Sequence, residues 1–413
     1  MTGSIRLFDT VELSEVSDSL TVVSEVLSCG HGIAPNEEDS VFRVLRATGA
    51  EDYRSLCGAI ENAGFKKIFE NKIGENLFGE YTDGEGLIYL YYLDALKKIR
   101  AVLIKNGCTP DEFSYSATGN TKSEFYFFKM NNNAEDTFLI RCCDNSWIMI
   151  DGGVTEWADF DASLADDIYS FMRMRSGLAD GEKLVINCWF MTHAHRDHFL
   201  AFSSLIDRHH ENIRLERVLL NLPDHTKIVN TSYPQFEICL ERLNKWYPEL
   251  VELKAQTGMK LRLADVGFEI LYTQVDHLED WYTGNRDNHN LNFNNSTTVA
   301  LIDIGGMRVL ELGDLFFTGD YVAPLYPVST FECDVLKIAH HYIDYHSDEF
   351  YETLLKHKAP AYALVPFCAD RSASRQPMEF VKTFMGERLI FGSQTKIYGF
   401  CKDDGTVRSE VFR

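Results

Sequence analysis

A run of potential metal ligands directly behind a long apolar segment constrains this chain more than any other feature. The apolar letters LVINCWFM lead straight into THAHRDH at residues 192–198. Such a run is typical of a buried strand. Because side chains two apart on an extended segment point the same way, His193 and His195 can meet one metal ion. Where the chain turns toward a predicted helix, Asp197 and His198 can bind a second ion. Imidazole and carboxylate ligands suit zinc, and also iron or manganese.

Further polar residues follow other predicted strands. Asp151 ends a predicted hairpin and precedes two glycines, Asp314 follows a glycine behind another strand, and His340-His341 follow a short strand. Two dications held close together need negatively charged ligands, and Asp197 and Asp314 would supply two charges. The pattern therefore predicts a two-metal site assembled from several strand ends.

The motif Thr-His-x-His-x-Asp-His, with Asp-Gly-Gly upstream and Gly-Asp and His-His downstream, resembles that of the metallo-β-lactamase superfamily of metallohydrolases. The resemblance covers residues 123–413. It implies an α/β protein, an αββα four-layer sandwich with a two-metal site at one edge of the sheets. It also implies the ligand roles: the first metal is bound by His193 and His195, the second by Asp197 and His198, with Asp314 bridging the two and a later histidine completing the second site.

The resemblance also implies the chemistry and the cofactors. A hydroxide that bridges two divalent metal ions would act as the nucleophile, since bound water loses a proton near neutral pH. Asp197 and Asp314 are the expected catalytic residues. Zn²⁺ is the expected metal, with Mn²⁺ or Fe as alternatives. His195 stands where the di-iron oxygen-reductase branch has Glu, which argues against that branch.

The later histidine of the second site has two candidates. Many relatives carry Lys-Val-x-His-His-Gly-Ser, and this chain has KIAHHY at residues 337–342. Alignment to relatives with a single Gly-His-Gly favours His341 as the ligand, with His340 as an alternative ligand or a residue that faces substrate. Tyr342 replaces the usual glycine, so we expect the loop to take a different path. His346 is a further candidate.

The third protein ligand of the first metal stays open. Relatives often place a histidine between the central motif and the Gly-Asp pair, and the candidates in this interval are His209, His210, His225, His277 and His289.

An asparagine-rich stretch in the same interval offers an alternative. Asn294, Asn295 and Ser296 resemble the Asn-Asn-x-Ser stretch of the branch that includes the hydrolase domain of DNA-uptake competence proteins, where this ligand is no obvious histidine. These three residues are expected around the metal or the substrate. Asp151 is expected to orient a metal ligand by contacting it on the side away from the metal, without binding the metal itself.

The first 115 residues differ from the rest of the chain in their predicted secondary structure. Apolar spacing predicts a helix around residues 20–27 and another around 53–60, and a hairpin formed by 76–82 and 87–93 follows. We expect residues 1–115 to form a small α+β module of unknown role, and residues 120–413 to form the hydrolase domain.

Composition limits the function classes. The 413 residues include 40 Lys and Arg against 62 Asp and Glu, giving a formal charge of −22. This acidity argues against long nucleic acids as partners and favours a small-molecule substrate. Arg196 and Lys337 are the nearest cations to the motif, and we expect them either to meet an anionic substrate or to lie on a solvated surface. We therefore expect a metal-dependent hydrolase of a small phosphodiester or ester-type substrate.

Two alternative functions stay open at this point. One is a non-catalytic metal-binding or sensing protein, and the other is a lactonase or thioesterase-type hydrolase. No run of 18 apolar residues and no signal-like start are present, so we expect no membrane span. Ten cysteines without a C-x-x-C pair suggest reduced thiols of a cytoplasmic protein. The sequence does not indicate the oligomeric state.

Overall fold

The structure is a computed structural model of the chain. It describes these parts of the sequence: residues 6–8, 11–12, 20–27, 40–105, 119, 121–130, 134–154, 163–223, 233–277, 293–342, 347–368 and 379–412.

The strands have the following bounds: β1 (Arg6–Leu7), β2 (Val11–Glu12), β3 (Thr21–Leu27), β4 (Ser40–Arg46), β5 (Lys66–Ile73), β6 (Asn76–Thr82), β7 (Gly86–Leu93), β8 (Lys98–Lys105), β9 (Glu124–Phe127), β10 (Thr137–Arg141), β11 (Trp147–Asp151), β12 (Leu184–Phe190), β13 (Ile213–Leu215), β14 (Arg217–Leu220), β15 (Val251–Lys254), β16 (Lys260–Leu263), β17 (Val266–Tyr272), β18 (Val299–Ile304), β19 (Met307–Glu311), β20 (Val335–Lys337), β21 (Tyr362–Cys368), β22 (Leu389–Gly392), β23 (Ile397–Asp403) and β24 (Thr406–Phe412). The α-helices are α1 (Ala50–Asn62), α2 (Ser163–Ser176), α3 (Leu200–His209), α4 (Tyr233–Trp246), α5 (Thr318–Tyr321), α6 (Asp348–His357) and α7 (Glu379–Met385).

Two large mixed sheets form the body of the molecule. The nine-stranded sheet has the order β15-β14-β12-β11-β10-β9-β23-β24, with β13 beside β12, and the seven-stranded sheet runs from β16 to β22. Buried residues of both sheets, such as Phe138 and Val309, join in one apolar core. Helices α2, α3 and α4 cover the nine-stranded sheet, while α6 and α7 add buried residues to the core that includes the other sheet. The predicted α/β sandwich is confirmed.

Parallel pairing explains where the site lies. In the nine-stranded sheet β11, β12, β14 and β15 are parallel to one another, and in the other sheet β19 to β22 are parallel. Carboxyl ends of parallel strands meet at one edge of a sheet. The segments after β11, β12, β19 and β20 carry the motif residues, so the fold can bring them together.

A third, six-stranded sheet has the order β3-β4-β8-β7-β6-β5. Helix α1 packs on one face through Leu56 and Ile60, and the opposite face, with Phe42 and Tyr89, joins the core of the large sheets. The buried ion pair between Arg100 on β8 and Asp276, with 3.2 Å between Nη1 and Oδ1, also links this sheet to the rest. The division at residues 115–120 stays a prediction.

One sequence-based assignment was wrong in detail. The segment predicted as a helix around 20–27 contains strand β3, because its valines favour an extended backbone and pair with β4. Near the end of the described residues, the consecutive strands β22 and β23 belong to different sheets. The chain crosses between the sheets after Gly392, where a Cβ atom would lie 1.9 Å from the sulfur of Met130.

No helix in the described ranges is long and apolar enough to cross a membrane. The eight cysteines that the structure describes are all free thiols.

Candidate metal centre

Four side chains from both large sheets converge at the carboxyl ends of the strands. One ligand atom from each of Asp197, His198, Asp314 and His341 lies within 4.8 Å of the others. The Nε2 atom of His198 is 3.1 Å from Oδ2 of Asp314. The Nε2 atom of His341 is 3.2 Å from that oxygen and 3.2 Å from Oδ2 of Asp197. This arrangement has the residue types and the spacing of a metal site.

The first two histidines of the motif approach the same aspartate. Nε2 of His193 lies 3.1 Å from Nδ1 of His195 and 4.0 Å from Oδ2 of Asp314. Asp314 Oδ2 is therefore common to two groups of potential ligands. One group contains His193 and His195, and the other contains Asp197, His198 and His341.

Hydrogen bonds behind the imidazoles fix their orientation. Nδ1 of His198 lies 2.7 Å from Oδ2 of Asp151, and the backbone N–H and hydroxyl of Thr192 both donate to Asp151. Nδ1 of His341 is 2.9 Å from the carbonyl oxygen of Pro366, to which it donates. Such partners select the tautomer whose lone pair is on Nε2, the nitrogen that could then bind a metal. Asp151 thus contacts the His198 ring on the side opposite Nε2.

The backbone that carries His341 is unusual. Three consecutive non-glycine residues have positive φ, namely His340 (43°), His341 (50°) and Tyr342 (75°). Residues in this region cost about 1–3 kcal/mol each and occur where the surroundings determine them strongly. The His340 N–H donates to Gly313 O, and Tyr342 is buried beside Phe391. Tyr342 therefore has a left-handed backbone, a conformation that glycine adopts more readily.

The cluster contains more negative than positive charge. The carboxylates of Asp136, Asp151, Glu311 and Asp314 are all buried, and the ammonium of Lys337 contacts those of Asp136, Glu311 and Asp314. Burial alone would raise the pKa of Asp314, but the charges of His341 and His198 hold it well below its usual range. Burial raises the pKa of Glu311 to about 8.

The imidazole pKa values divide the histidines into two groups. Burial, together with the neighbouring imidazoles, lowers the pKa of His193. Burial also tends to lower the pKa of His341, but Asp314 and Asp136 outweigh it and raise the value to about 10. A metal-free site thus compensates its carboxylates by protonating histidines. Because divalent cations would provide that compensation directly, and the donors are imidazole and carboxylate, the residues fit a metal centre.

The other predicted residues lie as follows. His340 packs edge-on against Phe316, with 4.1 Å between ring centroids, and Ser296 is buried. Asn294 makes a side-chain hydrogen bond with His195. The amide oxygen of Asn295 accepts the N–H of Phe316 at 3.3 Å.

Other histidine candidates lie away from the cluster or outside the described residues. His209 stacks on Tyr169 and pairs with Asp166, and His210 stacks on Trp246. Three candidates lie outside the described residues, namely His225, His289 and His346, and the side chain of His277 is not described either.

Sequence reasoning missed two buried charged residues, Asp136 and Glu311, and misplaced a third. Lys337 was expected to meet an anionic substrate or to lie on a solvated surface, whereas it is fully buried among carboxylates. The available signal was a charged residue within or directly beside an apolar strand, since such residues are rarely buried without a partner.

Replacing Gly313 with Ala should disturb the site strongly. Gly313 has φ of 51°, and an added Cβ would lie 2.2 Å from Cγ2 of Thr297, whose hydroxyl accepts the Asp314 N–H. We expect a loss of about 2–4 kcal/mol in the free energy of unfolding and weaker metal binding. Urea unfolding with and without metal measures both. Gly306→Ala is the control, because its φ is also positive but no atom lies within 4 Å of an added Cβ. An equal loss in both variants would contradict the steric argument.

Metal-free protein should lose stability as pH rises. The pKa of His341 is about 10 in the folded protein and about 6.5 in an unfolded chain. The folded state therefore holds a proton that the unfolded state releases, and its stabilisation, complete below about pH 6.5, is lost toward pH 10. We expect the free energy of unfolding to fall by about 1 kcal/mol or more between pH 7 and 10. Urea titrations in chelator measure it, and a flat profile would contradict the assignment.

Comparisons with known proteins find only solved structures of low similarity. No protein-family model matches the chain, and no curated protein matches it. One similar solved structure is the diiron β-hydroxylase CmlA from Streptomyces venezuelae (12% identity, 68% of this chain, TM-score 0.36). Another is a putative Zn-dependent hydrolase of the metallo-β-lactamase superfamily from Thermotoga maritima (11% identity, 64% of this chain and 84% of that chain, TM-score 0.29).

A third similar structure is the flavodiiron protein from Giardia intestinalis (14% identity, 49% of this chain and 41% of that chain, TM-score 0.26). The chain spans about half the length of the CmlA structure, 54%. Because these TM-scores are low, the description of the metal centre depends on its own geometry.

Proposed function

We propose that this chain is a metal-dependent hydrolase of the metallo-β-lactamase superfamily that holds two divalent cations and cleaves a small phosphodiester or ester-type substrate. One observation carries the proposal. Three imidazole Nε2 atoms, those of His193, His198 and His341, lie within 3.1–4.0 Å of a single carboxylate oxygen, Oδ2 of Asp314. This convergence adds nothing to apolar packing. Burying several imidazoles and carboxylates costs free energy unless they pair with one another or bind a cation.

The residues divide between two cation positions. His193, His195 and Asp314 would hold one cation, and Asp197, His198, Asp314 and His341 the other. When bound, such cations supply Lewis acidity and a water of lowered pKa. Zn²⁺ suits this donor set best, and Mn²⁺ or Fe are alternatives.

The chain's own residues prepare the site for this role. Asp151 accepts a hydrogen bond from the His198 ring, and Pro366 accepts one from the His341 ring, so both present Nε2 toward Asp314. The side chain of Asp197 is 20% exposed, whereas that of Asp314 is 2% exposed. We infer that substrate approaches from the side of Asp197, and that Asp314 lies behind the cations.

The two cation positions are not equivalent in this proposal. Beside His193 and His195 the described residues supply Asn294, a neutral amide that is hydrogen-bonded to His195. The other position has two carboxylates. We therefore expect the position at His193 and His195 to bind its cation more weakly, because a neutral oxygen ligand adds less than a carboxylate.

The formal charge of −22 supports a small substrate over a long nucleic acid. Free thiols among the described cysteines fit a reducing compartment, and we propose a cytoplasmic location.

The test is metal-dependent turnover. Chelator-treated protein is reconstituted with Zn²⁺, Mn²⁺ or Fe²⁺, its bound metal is counted, and it is assayed on an aryl phosphodiester, an aryl ester, a lactone, a thioester and a β-lactam. We expect about two metals per chain and turnover on the phosphodiester or ester that chelator abolishes. Two bound metals without turnover on any class would overturn the hydrolase, and absence of bound metal would overturn the metal centre.

One observation favours a second candidate, a non-catalytic metal-binding protein. Asp197, His198, Asp314 and His341 form a group of four protein ligands, and closed four-ligand sites are typical of structural zinc. This alternative predicts one tightly bound metal, a large fall in thermal stability when it is removed, and no turnover.

A further inference from the structure

We infer that Lys337 is a positioning residue of the metal centre: its ammonium joins Asp136 to Asp314 and leaves only Oδ2 of Asp314 facing the imidazoles. The inference rests on the proposed function, because it concerns how the chain arranges that metal centre. The sequence left two places open for Lys337, beside an anionic substrate or on a solvated surface, whereas the structure buries it completely.

Oxygen atoms surround the ammonium group of Lys337. Lys337 is fully buried on β20. Its Nζ lies 2.6 Å from Oδ2 of Asp136 and 3.3 Å from Oδ1 of Asp314, and it donates to the carbonyl oxygen of Gly313 at 2.5 Å. An ammonium has three protons and no acceptor, so these three acceptors match it. Glu311 follows at 3.7 Å.

Lys337 links the two large sheets beneath the site. It lies on β20 in register with Glu311 on β19, in the seven-stranded sheet. Asp136 immediately precedes β10 in the nine-stranded sheet, and its backbone N–H donates to the carbonyl oxygen of Asp197 at 3.1 Å. The ammonium therefore connects the segment that carries Asp197 with the segment that carries Asp314.

The contact gives the two oxygens of Asp314 different partners. Oδ1 faces Lys337, and Oδ2 faces His198 at 3.1 Å and His341 at 3.2 Å. Without the ammonium, the carboxylate would be free to rotate and would lose this distinction. Residues that orient a ligand typically affect metal affinity 10–100-fold without touching the metal.

A purely electrostatic role of Lys337 predicts the opposite result. Removing a positive charge beside a cation site should strengthen the binding of dications. A positioning role predicts weaker binding and changed ligand geometry. A role in folding alone would lower stability and leave metal affinity and ligand geometry unchanged. The three roles can therefore be separated by affinity, spectrum and stability.

The experiment compares wild type, Lys337→Met and Lys337→Arg in the full-length protein. Zn²⁺ stoichiometry and affinity are measured by chelator competition, ligand geometry by the visible spectrum of the Co²⁺ form, and thermal unfolding with and without metal. Lys402→Met is the matched control, because Lys402 pairs with Asp334 at 2.8 Å, next to the opposite end of β20.

We expect Lys337→Met to bind Zn²⁺ about 10- to 100-fold more weakly with an altered Co²⁺ spectrum, Lys337→Arg to recover part of the affinity, and Lys402→Met to match wild type. If Lys337→Met fails to fold, the double variant Asp136→Asn/Lys337→Met, which removes both charges of the pair, is measured in its place with the same expectation.

Wild-type affinity and spectrum in a folded Lys337→Met protein, or tighter binding, would overturn the inference alone. Wild-type protein that binds no metal would overturn the proposed function, and this inference with it.

Discussion

Asp314→Asn should abolish turnover and reduce bound metal from about two ions per chain to one or none. Oδ2 of Asp314 is the atom common to both groups of potential ligands, and an amide provides neither the charge nor the basicity of a carboxylate. We expect activity to fall at least about 1,000-fold, the scale of losing a major stabilising group. Metal counting and the substrate panel measure both effects.

The control for Asp314→Asn is Asp320→Asn. Asp320 is an exposed aspartate on the short helix α5, six residues further along the chain, so it tests loss of an acidic group near this segment. Metal-free Asp314→Asn protein should be moderately less stable than wild type at neutral pH, because the lowered pKa of Asp314 means that the folded state favours its charged form. A large loss of stability without metal would show that Asp314 mainly supports the fold.

His341→Ala should remove the cation held with Asp197, whereas His340→Ala should leave both cations bound. Nε2 of His341 lies 3.2 Å from Asp197 and from Asp314, and the His340 ring packs on Phe316. We expect activity to fall at least about 1,000-fold in His341→Ala and less than about 10-fold in His340→Ala. Metal content and turnover of the two purified variants measure this.

His340→Ala is the control for His341→Ala, because both positions have positive φ and each variant loses one imidazole. The conformational strain of the backbone is therefore similar in the two variants, and any difference in metal content reflects the loss of the His341 imidazole. Equal metal content and equal turnover in the two variants would overturn the choice of His341.

The candidate metal centre was largely predictable because most of its candidate ligands lie in short motifs. Four of them fall within residues 193–198, and their spacing alone indicates two groups of ligands. Asp314 and His341 lie far away in sequence, yet each follows a predicted strand, and parallel strands bring their carboxyl ends to one edge. The sequence could not distinguish His340 from His341. The direction of each ring depends on the backbone conformation of the loop, in which three consecutive residues are left-handed.

The buried charges behind the site were not predictable in the same way. Asp136 and Lys337 lie on different sheets, and no local pattern pairs them. Their ion pair forms only because the sandwich places the start of β10 against the end of β20. Local periodicity was also ambiguous at residues 21–27, where apolar spacing resembled a helix and pairing with β4 produced strand β3.

The amino-acid sequence by itself determined the fold class and the residue types of the candidate metal centre, because strand periodicity, buried apolar runs and ligand spacing are local properties. Only the tertiary structure decided which atoms meet. It placed the His341 ring beside Asp197 and Asp314 and the His340 ring against Phe316, placed Asp314 Oδ2 among three imidazoles, and buried Lys337 between two sheets. The physical reason is that electrostatic contacts in the interior depend on distances of a few ångströms, and packing of distant segments sets those distances.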